Sequence, residues 1–248
     1  MYETAYDFKT FYNGKIGRVV RRVLQNRIRQ VWPDLSGLSV MGTGYATPYL
    51  RVFKDEAECA FSLMSAGLGA HDWPHDGPNA VALTEQAELP IETNSLDRVL
   101  MVHNLEFSEF VKPSLQEVWR VLKSNGRLLL IVPNRAGLWA RTDWAPFGHG
   151  TPYSLSQLSY ALRESLFVHE RTEEALFMPP VKHTSFLKAA GTFERVGTYM
   201  PIGAGVHIVE ASKQIYASAD RSSGSKVHVR GRGGFIPKPV PNSFKGYS

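Results

Sequence analysis

The sequence predicts an α/β protein built on a mainly parallel, twisted sheet with helices on both faces, and three observations predict it. Strand-length apolar runs alternate with amphipathic helix-length segments from Leu38 to Ala211. A strand runs into glycines and then into a helix over Val40-Met41-Gly42-Thr43-Gly44-Tyr45-Ala46. The chain has 248 residues, 43% of them apolar, which suffices for one sizeable core.

The elements follow in order. Ile16, Val19, Val20, Val23, Leu24 and Ile28 recur at helical spacing between arginines, which predicts an amphipathic helix over 14–31 that Pro33 stops. Leu38–Met41 reads as the first strand, Gly42–Ala46 as a glycine turn, and Thr47-Pro48-Tyr49-Leu50 as the start of a helix. Strands are expected at Ala60–Ser65, Asn79–Leu83 and Asp97–Val102, then a helix over Lys112–Leu122. A turn at Lys123-Ser124-Asn125-Gly126 leads to a strongly apolar strand, Arg127–Val132. Residues 134–153, with Trp139, Trp144, Phe147 and His149, have the composition of a loop or lid. Ser154 can cap a helix over Leu155–Leu162, Leu187–Phe193 reads as a short helix and Gly205–Ala211 as a late strand. One folded domain over 1–217 is expected, followed by a Gly/Ser/Pro-rich tail over 218–248.

The formal charge of +5 sits in that tail: residues 221–248 hold six Lys and Arg and no acid, which leaves the first 220 residues at −1. Such a body argues against a uniformly basic nucleic-acid binder, although Lys226, Arg230, Arg232 and Phe235 resemble some RNA-binding tails in composition. The single cysteine, Cys59, can form no intramolecular disulfide and no thiolate zinc site, and the first residues carry no apolar leader, so a cytoplasmic setting is expected. His149, His169 and His183 have no metal-site spacing, and no metal is expected. Neither a G-x-S-x-G elbow nor a P-loop lysine occurs, which removes the commonest hydrolase and NTPase readings.

The middle of the chain carries a resemblance. Glu85-Gln86-Ala87-Glu88-Leu89-Pro90 precedes Asn94-Ser95-Leu96-Asp97, and Glu117-Val118-Trp119-Arg120-Val121-Leu122-Lys123-Ser124-Asn125-Gly126-Arg127 follows. In this order and spacing Gly37–Pro133, and more weakly the chain on to Ala211, resembles the class I S-adenosylmethionine-dependent methyltransferases, especially the bacterial group of ubiquinone and small-molecule methylases. The resemblance implies a Rossmann-like fold and S-adenosylmethionine as cofactor. It implies cofactor contacts at Gly42, Thr43, Gly44, Tyr45, Glu85 and Leu89, with Glu85 accepting from the adenine amino group unless it is only a solvated loop charge. Two positions depart from the family: the place before the glycine turn is apolar, read as Leu38 or Val40, and Phe61-Ser62-Leu63-Met64-Ser65 offers no carboxylate for the ribose, with Asp72 arriving late.

Methyl transfer needs an aligned nucleophile more than a fixed triad. The ends of the fourth and fifth strands bring forward His103, as a general base or a packed strand-end histidine, with Asn104, Asn134, Trp139, Trp144 and His149 as acceptor-binding candidates. Trp139, Trp144 and Phe147 form a lid, a satellite core or a docking surface for a protein partner. Two functions are therefore carried: a methyltransferase acting on a small-molecule or macromolecular acceptor, and a non-catalytic methyltransferase-like protein that binds a partner through the aromatic loop or the tail. Nucleic acid and membrane insertion are not expected.

Overall fold

In the computed structural model the described residues are 4–181, 187, 189–197 and 203–215. The tail expected over 218–248 and His183 lie outside them. A helix α1 (Ala5–Asn13) opens the chain and α2 (Lys15–Val31) follows after Gly14. The sheet strands are β1 (Ser39–Gly44), β2 (Cys59–Ser65), β3 (Val81–Thr84), β4 (Leu96–Val102), β5 (Leu122–Pro133), β6 (Phe167–Ala175) and β7 (Val206–Lys213). Between them lie α3 (Thr47–Leu50), α4 (Val111–Val121), α5 (Leu155–Glu164) and α6 (Ala190–Val196).

The seven strands are ordered β3-β2-β1-β4-β5-β7-β6. Every pairing is parallel except those of β7, which runs antiparallel to both β5 and β6. From β1 the chain moves outward through β2 and β3, then returns to place β4 on the other side of β1. That reversal opens a crevice at the carboxyl ends of β1 and β4, where parallel α/β sheets bind ligands.

Each helix reaches the sheet through an apolar stripe. On α2, Ile16, Val20, Leu24 and Ile28 are buried while Arg18 and Arg22 stay exposed; burying side chains of this size contributes about 1.5–3 kcal/mol each. One core lies on the face covered by α1, α2 and α3 and includes Phe8, Tyr12, Tyr45 and Tyr49. The other lies under α4 and α5, with Leu115, Val118, Leu158 and Leu162 packed on Leu128 and Leu130. Ser154 and Gln157 form a capping box at the start of α5, as the sequence suggests.

Several expectations need correction. The helix expected over 14–31 is preceded by a second one, α1, whose start is fixed by a Thr4–Asp7 capping box. Gly42, Thr43 and Gly44 end β1 instead of forming a turn, because all three remain paired with β4. Lys123–Gly126 is no turn either, since β5 runs unbroken from Leu122, with an irregularity in its pairing to β4. Strand β6 was not expected; its middle, His169-Glu170-Arg171, is exposed and polar because it forms a sheet edge. The described helix near the expected Leu187–Phe193 is α6, three residues later at its start.

Candidate active site

The crevice holds a cavity of about 370 Å³ lined by Gly44, Ser65, Gly67, Leu68, Gln86, His103 and Phe107. A second of about 360 Å³ shares Ser65, Gly67, Gln86 and Phe107 and adds Glu85, Ala87 and Phe110 among its walls. Together they form a cleft across the carboxyl ends of β1 to β4, in the size range of small-ligand sites.

At the inner end the residues owe their positions to close packing. Gly44 has φ +73°, and a Cβ there would lie 2.3 Å from the Val102 carbonyl oxygen and 2.7 Å from Asn104 Cβ. A Cβ on Gly42 would instead meet Leu50 and Ala46 side chains, at 2.6 and 2.8 Å. These glycines are demanded by the chain itself. The Tyr45 N–H donates to Val102 O at 2.7 Å, so it is not left open for a ligand. The Tyr45 side chain is buried, stacked on Phe8 and Tyr12. Thr43 Oγ1 accepts from Asn104 Nδ2 at 2.9 Å, which aims Asn104 across the strand ends.

His103 sits directly after β4 with φ 50°, a left-handed conformation uncommon for a non-glycine residue. Its ring is held at both nitrogens: Tyr12 Oη is 2.7 Å from Nε2, and Glu106 Oε1 is 3.1 Å from Nδ1. Tyr49 donates its hydroxyl proton to Tyr12 at 2.8 Å. A carboxylate at Glu106 can only accept, which puts the proton of a neutral imidazole on Nδ1 and leaves Nε2 to accept from Tyr12. All four residues are buried. Burial first, then Tyr49, pushes the Tyr12 phenol well above its ordinary pKa. Sequence reasoning missed Tyr12 and Glu106; the signals were His-x-x-Glu after β4 and the apolar spacing of Ala5, Phe8, Phe11 and Tyr12.

Two buried polar atoms here have no partner among the described residues, Asn104 Oδ1 and Glu106 Oε2. Orphaned acceptors of this kind call for a donor that the chain does not supply. Their residues flank His103, which lines the inner cavity beside Gly44, so these acceptors lie behind that wall and not on it. Where the resemblance leads one to expect a ribose carboxylate, the lining at the end of β2 is the Ser65 hydroxyl and Gly67. Asp72 is exposed, 3.8 Å from His75 Nδ1.

The remaining candidates are placed elsewhere. Leu89 is buried in the core under α4, its N–H on Glu117 Oε2. Asn134 is buried and spent on Ala204 O and the Ala136 N–H. Trp139 and Phe147 are each 1% exposed, and the Trp139 indole donates to Met178 O, so these two side chains belong to the core. Trp144 is half-buried against Trp139, and His149 Nε2 lies 2.9 Å from Asp143 O. None of these lines the two cavities among the described residues.

Comparison with known proteins agrees with the fold. Residues 40–130 match the family described as the methyltransferase domain. The fold is that of the class I S-adenosylmethionine-dependent methyltransferases, and residues 40–130 are similar to their domain. An Archaeoglobus fulgidus S-adenosylmethionine-dependent methyltransferase superposes with a TM-score of 0.56 at 16% identity, over 78% of this chain and 94% of that one. A presumptive methyltransferase complexed with the Haloferax volcanii Trm112 methyltransferase activator gives 0.61 at 14% identity, over 84% and 97%. An S-adenosylmethionine-dependent methyltransferase from Mesorhizobium loti gives 0.52 at 16%, over 76% and 96%. No curated protein sequence matches the chain. Among the described residues no cluster could hold a metal ion, and no helix is long and apolar enough to cross a membrane.

Proposed function

We propose that this protein transfers a methyl group to a small acceptor that loses a proton from oxygen or nitrogen, with His103 as the proton sink. The supporting observation is the Tyr49–Tyr12–His103–Glu106 chain of hydrogen bonds beside a cavity whose inner wall is His103 and Gly44.

When bound, S-adenosylmethionine supplies an electrophilic methyl group, so the protein's task is alignment and proton removal. Glu106 holds the His103 ring by its Nδ1 at 3.1 Å and fixes its orientation. His103 is the member of this chain of bonds that lines the cleft, so the acceptor's proton is taken up at its ring, with Tyr12 and Glu106 holding the two nitrogens. Phe8 and Tyr45 exclude water from this point. At the outer end of the cleft Glu85, Gln86 and Phe110 hold the adenosine portion.

Isothermal titration with S-adenosylmethionine and S-adenosylhomocysteine tests the reading. Saturable binding is expected, weakened roughly tenfold by Glu85→Gln through loss of one charge-assisted hydrogen bond. Absence of binding at about 1 mM, a very weak affinity limit, would remove the catalytic reading and leave the fold as a binding scaffold.

A further inference from the structure

We propose that the groove between α2 and α6 binds a soluble phosphorylated molecule with an apolar portion, at a site separate from the methyl-transfer cleft. The groove encloses about 700 Å³ and shares no lining residue with either cavity of the cleft. It is the largest of the cavities described here.

Three arginines line it, Arg22 and Arg27 on α2 and Arg195 on α6. Four arginines elsewhere among the described residues are paired with carboxylates, Arg29 with Glu56 at 2.6 Å, Arg120 with Glu117 at 2.9 Å, Arg127 with Glu170 at 3.4 Å and Arg171 with Glu173 at 2.7 Å. Here, among the described residues, no carboxylate comes within ion-pair distance of the three. Arg27 donates only to neutral oxygens, the Gln30 amide at 3.3 Å and the Glu194 carbonyl at 3.4 Å. The groove's one acid, Glu194, accepts the Phe177 N–H at 2.8 Å; burial raises its pKa while that bond and the nearby Arg27 charge act to lower it, so it is at most a partial counter-ion to Arg27 alone.

Gathering like charges costs free energy unless an anion joins them. Planar guanidinium forks suit phosphate oxygens, and the Asn26 and Gln30 amides supply further donors. Val19 and Val23 give the same groove an apolar wall, which free phosphate alone would not use. The chain's own stretch 216–248 has the wrong sign to fill it, with six Lys and Arg against Asp220. The neighbouring sequence Val181–Arg195 adds Lys182 and Lys188, so no acid but Glu194 is supplied there.

Calorimetric titration of the full chain with n-hexyl phosphate, inorganic phosphate and n-hexanol tests this. Hexyl phosphate is expected to saturate more tightly than inorganic phosphate, and hexanol not at all. The exposed double change Arg22→Gln with Arg195→Gln weakens hexyl phosphate by roughly tenfold or more, and leaves S-adenosylmethionine binding and the circular dichroism spectrum unchanged. Arg163→Gln, outside the groove, leaves all of these unchanged. The proposal is overturned if hexyl phosphate fails to saturate by about 10 mM, or if the double variant binds it as the parent does. It also fails if single-stranded RNA or anionic lipid vesicles bind through these arginines while hexyl phosphate does not.

Discussion

The Tyr12 hydroxyl lies 2.7 Å from His103 Nε2 although 91 positions separate the two residues in the chain. A Glu106 carboxylate on Nδ1 accepts only, so a neutral ring leaves Nε2 to accept the Tyr12 proton. Nitrogen-15 NMR of the histidines should find His103 protonated at Nδ1. Tyr12→Phe should shift the Nε2 resonance while Glu106 still holds Nδ1. An Nε2-protonated ring in the parent chain would break the proposed proton route.

Gly44 and Gly67 both line the inner cavity, yet their replacement by alanine should do different things. At Gly44 the new Cβ lands 2.3 Å from a backbone oxygen at positive φ, so Gly44→Ala should destabilise the fold by about 2 kcal/mol or more. At Gly67 the nearest atom is Ser65 Oγ at 3.9 Å, so Gly67→Ala should change stability by less than about 0.5 kcal/mol while narrowing the cleft and weakening cofactor binding. Urea unfolding read beside cofactor titration checks both. Equal stability losses at the two glycines would show the packing argument to be mistaken.

His207 is buried with its pKa lowered by desolvation to about 4, and its nearest recorded acid is Glu174, 3.5 Å from Nδ1. The unfolded chain takes up this proton near pH 6.5 and the folded chain only near pH 4, so stability falls as pH drops through that window. The loss approaches roughly 2–3 kcal/mol by pH 4 from this group alone. His207→Gln should flatten the melting temperature against pH between those limits; an unchanged slope would assign the acid sensitivity to other groups.

Trp139 and Trp144 share a segment but not a fate. Trp139→Ala removes a fully buried indole and its bond to Met178 O, and should cost about 3–5 kcal/mol. Trp144, half-buried, should cost about 1 kcal/mol on the same replacement. Scanning calorimetry of the two variants compares them directly, and similar melting temperatures would contradict the placement of Trp139 in the core.

The sheet was largely legible because central parallel strands are buried on both faces and read as short apolar runs; β4 and the Leu128–Val132 stretch of β5 are examples. β6 escaped because an edge strand keeps one side in water, and Phe167-Val168-His169-Glu170-Arg171 shows little apolar alternation. α1 escaped although Thr4 and Asp7 spell out its capping box. At the site, His103 was found from its place after β4, whereas Tyr12 could not be, since only tertiary packing brings α1 over the strand ends. The aromatic segment misled because composition reports bulky rings without saying which way they point; Trp139 and Phe147 turn inward.

The bond from the Ala5 N–H to the Leu68 carbonyl, 2.8 Å long, ties the start of α1 to the wall of the inner cavity. Ligand exchange and fraying of the first helix are thereby linked events, and the residence time of whatever occupies the cleft depends on how firmly the amino terminus is anchored. Purification handles belong at the carboxyl end of this chain, because cargo fused ahead of Thr4 pulls on the gatepost.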